Sequence, residues 1–134
     1  MTPTEIKNWM LNDGYRAKLE ESDADAAVIV SGVHGIPFNV LLMRDDPPDG
    51  DLDAFGIMLF TSGVSLSKTP SLKSLNQINA DYRFFKVYAD EEDDVVHITM
   101  DSNVSADVLT EELFEDLFEI WTSGLPELVK EIIE

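Results

Sequence analysis

The chain has 134 residues, 44% of them hydrophobic, and its 27 acidic against 9 basic side chains give a formal charge of −18. Such a charge repels nucleic acid and anionic membrane, which proteins grip through Lys and Arg, and it favours neutral or basic partners. The apolar content argues against disorder and suits one domain over residues 1–134, while the absence of Cys excludes a disulfide framework, a thiolate metal site and a thiol nucleophile.

In chain order, Thr2, Pro3 and Glu5 fit a capping box, with Thr2 as the cap and Pro3 in the first helical position. Ile6, Trp9 and Met10 follow as an apolar stripe, and Gly14 suits the helix stop. Tyr15, Ala17 and Leu19 alternate with charged residues, a short strand pattern. Residues 20–25 read as an acidic loop, 26–30 as a buried strand and 32–35 as a turn. Residues 37–43 form the next strand, with Pro37 at its start, where a missing donor does least harm. Residues 45–53 hold two Pro and five Asp and read as a loop. A third clear strand covers 54–61.

Thr69 and Pro70 signal a helix start, and Leu72, Leu75 and Ile78 give it one apolar stripe. Asn76 and Asn79 sit near its end, and a structural role at that end is expected of both. Asn competes for backbone bonds and tolerates the left-handed conformation. Residues 82–89 read as a strand with Phe85, Val87 and Ala89 on one face and Phe84, Lys86 and Tyr88 on the other. An acidic turn over 90–94 returns the chain into a strand over 95–100. A last helix runs from about residue 106, with Leu109, Leu113, Phe114, Leu117, Phe118 and Trp121 on its apolar face. Gly124 and Pro126 predict a kink or a short break before Leu128, Val129, Ile132 and Ile133 resume it. The expected fold class is α+β: an antiparallel sheet of five or six strands with helices mainly on one face, in the order helix, three strands, helix, two strands, helix.

No catalytic motif emerges. Counted as a calcium loop from Asp45, the third and twelfth positions are Pro47 and Gly56, where oxygen ligands are needed. The acidic turn at 90–94 reads as a solvated tip. His34 and His97 each lack a second His nearby, as a metal site would need. Ser31 to Gly35 lacks the strand–Ser–helix setting of a nucleophile elbow, and no phosphate-binding glycine pattern occurs. No catalytic, cofactor-binding or metal-ligating residue is therefore assigned, and no cofactor is expected. No apolar run approaches the ~20 residues of a membrane span, and no signal-peptide pattern opens the chain, so a cytoplasmic location is the expectation.

The helix end built from Leu72, Leu75, Asn76, Ile78 and Asn79, the strand Arg83-Phe84-Phe85-Lys86-Val87 and the acidic turn after it resemble the YbjN family of bacterial sensory transduction regulators. The element order is similar to that of the secretion-chaperone fold. The resemblance is best from Leu72 onward. It brings no catalytic residues, and it implies a small, acidic, dimeric and non-enzymatic protein.

The strands at 37–43 and 54–61 are apolar on both faces: Phe38, Val40 and Leu42 oppose Leu41 and Met43, and Phe55, Ile57 and Leu59 oppose Met58 and Phe60. A sheet solvated on one face should alternate with polar residues, so the second face needs a cover. Phe84 and Tyr88 extend the same problem and are candidates for a partner surface. The expected function is a non-enzymatic protein-interaction module, chaperone-like or regulatory, homodimeric or bound to a protein client. A small-molecule-binding sensor or an enzyme using the helix–sheet cleft is the alternative.

Overall fold

The structure is a computed structural model that describes residues 1–23, 26–44, 54–90, 92 and 94–133, with the backbone alone at 21–23. Helix α1 (Pro3–Asn12) is followed by strands β1 (Lys18–Asp23), β2 (Ala26–Val33), β3 (Ile36–Met43) and β4 (Ile57–Ser65). Helix α2 (Leu72–Asp81), strands β5 (Lys86–Asp90) and β6 (Val95–Ser102) and helix α3 (Glu111–Ile133) complete the order. The six strands form one antiparallel sheet, ordered β1-β2-β3-β4-β6-β5. The fold is therefore α+β, as expected. The short pattern at 15–19 becomes a full strand that runs into residues read as loop, because β1 pairs with β2 from Lys18 to Asp23. The loop reading at 45–53 falls on residues outside those described.

Local chemistry sets the element ends. The Thr2 hydroxyl accepts from Glu5 N–H, and the Glu5 carboxylate accepts from Thr2 N–H. Those bonds to Thr2 hold the Glu5 carboxyl below the usual range. At the other end of α1, Gly14 at φ +91° lets Tyr15 N–H reach Met10 O and Gly14 N–H reach Leu11 O, a Schellman closure. His34 and Gly35, both at positive φ, make the two-residue hairpin between β2 and β3, as a mirror-image turn requires. The cap of α2 is Ser71, whose hydroxyl accepts from Ser74 N–H, rather than Thr69. Thr110 caps α3 through Leu113 N–H, so this helix starts later than its apolar pattern.

Of the kink or short break expected at Gly124 and Pro126, the break does not form: α3 runs on through both residues. Proline costs ~3 kcal/mol in a helix interior. Trp121 and Leu125 before it and Leu128 and Val129 after it are buried, so both halves are held on the sheet. The inner sheet face supplies Ile29, Phe38, Val40, Leu42, Phe60, Val87 and Ile98 to the core, and α3 crosses it with Phe114, Phe118 and Trp121. Trp9 of α1 stacks on Phe114 at 5.2 Å, and α2 adds Leu75 and Ile78. All three helices thus share one core on one face of the sheet.

Tyr82 ties the end of α2 to α3. Its hydroxyl bonds the Glu131 carboxylate, and that bond, burial and the charges of Glu131, Glu127 and Asp81 push its pKa from 10.0 up to about 12. A proton held more tightly in the folded state stabilises fully below the unfolded pKa and is lost as pH rises through the folded one. Stability should therefore fall between pH 10.0 and about 12. Urea midpoints of Tyr82→Phe against the parent should show a shallower alkaline decline in the variant, and parallel curves would contradict the link.

Candidate protein-interaction face

The other sheet face carries no helix among the described residues. Strand pairing arranges it in rows. One row reads Glu20, Val28, Leu41, Leu59, Asp101 across β1, β2, β3, β4 and β6. Beside it lie Ala26, Met43 and Ile57. On its other side runs Lys18, Val30, Asn39, Thr61, Thr99, Lys86, across all six strands. The six large apolar residues Val28, Val30, Leu41, Met43, Ile57 and Leu59 stand apart from the core cluster. Met43 is 41% exposed and Val30 37%. Val28, Leu41, Ile57 and Leu59 are half-buried, so half of this face is apolar, with no helix over it among the described residues. Its other half is polar, with a shallow hollow of about 300 Å³ over Gly63, lined by Pro37, Asn39, Thr61 and His97 among others.

The sequence left open which parity faces inward. Phe38 and Phe60 decide it, since both rings lie against Trp121, at 5.8 and 5.5 Å. Their neighbours Leu41, Met43, Ile57 and Leu59 then face outward. Val28 and Val30 were missed as surface residues, because β2 reads as a continuous buried strand. Their one legible signal was alternation with Ala27 and Ile29, both fully buried.

Tyr88 is 43% exposed and Phe84 56%. Tyr88 is on the open face, opposite His97, and the two rings stack at 5.0 Å. Lys86 Nζ sits 5.5 Å from the Tyr88 centroid, and His97 Nε2 lies 3.9 Å from Asp90 Oδ2. Phe84 lies in the turn between α2 and β5. His34 is exposed at a hairpin tip, in a different element from His97.

Asn76 and Asn79 lie inside α2, which runs past both to Asp81 and closes at Tyr82. Asn76 is exposed. Asn79 instead bonds the outer edge of the sheet: its Oδ1 accepts from Val87 N–H at 2.7 Å, and its Nδ2 donates to Val87 O at 3.0 Å. The amide stands in for one residue of a seventh strand and blocks the β5 edge, a common hazard for sheets. Asn79→Ala should lower the unfolding free energy by about 1–2 kcal/mol in urea melts, at ~1 kcal/mol per lost bond. A change below ~0.3 kcal/mol would show the bonds to be idle.

A groove of about 510 Å³ lies on the helical side between residues 66–71 and the end of α3, with Ser74, Ile78 and Glu131 in its walls. It is open and lined by scattered hydroxyls. Among the described residues, no three His, Asp or Glu side chains gather as a metal-ligand set, and no helix is long and apolar enough to cross a membrane. The acidic excess stays largely unneutralised in such a geometry, so self-repulsion should weaken the fold at low salt. Raising NaCl from 10 mM to ~0.3 M, which shortens the screening length from ~30 to below 10 Å, should raise Tm by several degrees. A flat Tm would refute this.

Neither the curated proteins nor the solved structures compared with this chain gave a match. A family model does match, over residues 2–134, under the description YbjN, putative bacterial sensory transduction regulator. The match includes both the helical layer and the open sheet face, and the chain belongs to the YbjN family.

Proposed function

We propose that the chain is a non-enzymatic regulatory module of the bacterial cytoplasm that works by docking a protein on the open face of its sheet. The family is one of sensory transduction regulators, which supports a regulatory role. The observation that carries the docking is the apolar set Val28, Val30, Leu41, Met43, Ile57 and Leu59, which stands outside the core cluster and has no helix over it among the described residues. Contiguous apolar surface of this kind marks binding sites on soluble proteins. Phe84 and Tyr88 are both exposed; Tyr88 stands on the same face in its polar half, opposite His97, and Phe84 lies in the turn before β5. The occupant is a client protein or a second copy in a homodimer.

The test is affinity capture from a bacterial cytoplasm with the parent chain and with Leu41→Glu/Leu59→Glu. Light scattering on both purified proteins runs alongside. The proposal expects a retained protein, or a dimer mass, that the double variant loses while its circular dichroism is unchanged. Phe84→Ser/Tyr88→Ser should weaken the same binding. Identical captured proteins and identical masses for parent and double variant would overturn it.

A further inference from the structure

The open face also says what chemistry it would hold. Strands β2, β3 and β4 contain no Asp, Glu, Lys or Arg, in a chain that is 27% charged. Charge is kept out of the middle of the face and returned at its rim, the usual anatomy of an interface. Among the described residues, Glu20 and Asp101 close the apolar row at its two ends. Met43 and Ile57 pair beside that row. Lys18 reaches Glu20 at 3.4 Å, but from a side chain 79% exposed. Contacts of that kind are worth little, and an incoming cation can replace it.

A second copy turned about the centre of the apolar row would bring acid against acid at both ends. The pattern instead suits opposite charge. We infer that the open face receives an apolar segment of a partner protein bracketed by Lys or Arg side chains. This rests on the docking reading above and names its occupant. Glu20 and Asp101 stand four strand spacings apart, ~19 Å. Cations at that separation fit about 13 residues of helix or about 6 of extended chain. The charge of −18 steers such a segment inward from a distance and away from copies of the chain itself.

The test uses two fluorescein-labelled 16-residue peptides with the same Leu/Ala middle. One ends in Arg pairs, the other in Glu pairs, and binding to the full chain is read by anisotropy. The Arg-ended peptide should bind at least ~10-fold tighter, a difference of ~1.4 kcal/mol, and salt should narrow the gap. Glu20→Lys/Asp101→Lys should abolish or reverse the ranking. Asp116→Lys/Glu119→Lys makes the same change in net charge on exposed positions of α3, and it should leave the ranking intact. If both charge variants act alike, or if the two peptides bind equally, the bracketing chemistry is wrong while docking on the face stands. A dimer that Leu41→Glu/Leu59→Glu dissociates, with neither peptide bound, would give the face to a second copy and overturn this inference alone. No peptide binding, together with an unchanged mass and unchanged captured proteins in that variant, would remove both readings.

Discussion

Trp121→Ala should cost about 3–5 kcal/mol, as aromatic-to-alanine changes in cores do. Trp121 is fully buried and sits at the junction of all the layers. Its ring stacks on Phe60 of β4 at 5.5 Å and on Phe85 at 5.6 Å, and meets Phe38 of β3 edge-on at 5.8 Å. Deleting it removes the side chain that joins α3 to the sheet and leaves a void between three rings. At this chain length the loss corresponds to a drop in Tm of roughly 10–20 °C. Trp121→Phe separates causes. The indole Nε1 is buried with no hydrogen-bond partner among the described residues, so phenylalanine removes that donor while keeping an aromatic face. It should cost clearly less than alanine. Calorimetric melting of the three proteins checks both statements, and equal losses for Phe and Ala would contradict the stacking account.

Gly124→Val is the second large effect, at ~3 kcal/mol from overpacking. The reason is contact rather than backbone freedom. A Cβ at position 124 would collide with the Phe85 ring. That ring stacks on Trp121 at 5.6 Å and meets Tyr82 edge-on at 6.4 Å, and moving aside would give up both contacts. Gly124→Ala makes the sign diagnostic. In an exposed helix the change stabilises by about 1 kcal/mol; here the methyl meets the ring first, and the variant should lose stability. Replacing Phe85 by Ala should relieve that loss, so a double-mutant cycle should give a coupling of ~1 kcal/mol or more. Additive effects would mean that the ring moves aside.

These two residues also show how far the sequence could be read. The stripe Phe114, Phe118, Trp121, Leu128 is plain helical spacing, and it places α3 on the core without any structure. Gly124 and Pro126 mislead as to a break, because local rules see only a weak helix point. Burial on either side overrides it, and the glycine serves a ring from outside its own helix. The antiparallel sheet and the apolar character of both faces of β3 and β4 were legible by alternation. The choice of inner face was not, since it depends on which aromatic rings meet α3. Asn79 was noticed for the wrong reason. Its bonds go to Val87, eight residues on and in a different element, and no local pattern encodes them. Tyr88 and Phe84 were legible as exposed aromatics, whereas Val28 and Val30 were hidden in a strand whose both faces are apolar.

The central claim is that the open face is where a partner sits, and Met43 is a built-in reporter of it. Met10, Met58 and Met100 are buried in the core, while Met43 stands 41% exposed beside the apolar row. Sulfoxide formation under mild peroxide, followed by peptide mass spectrometry, reads the accessibility of each thioether. With the protein captured by the parent chain bound at saturation, Met43 should oxidise several-fold more slowly than in the chain alone, with Met1 unchanged as the internal control. Equal rates at Met43 with and without that partner would contradict the account.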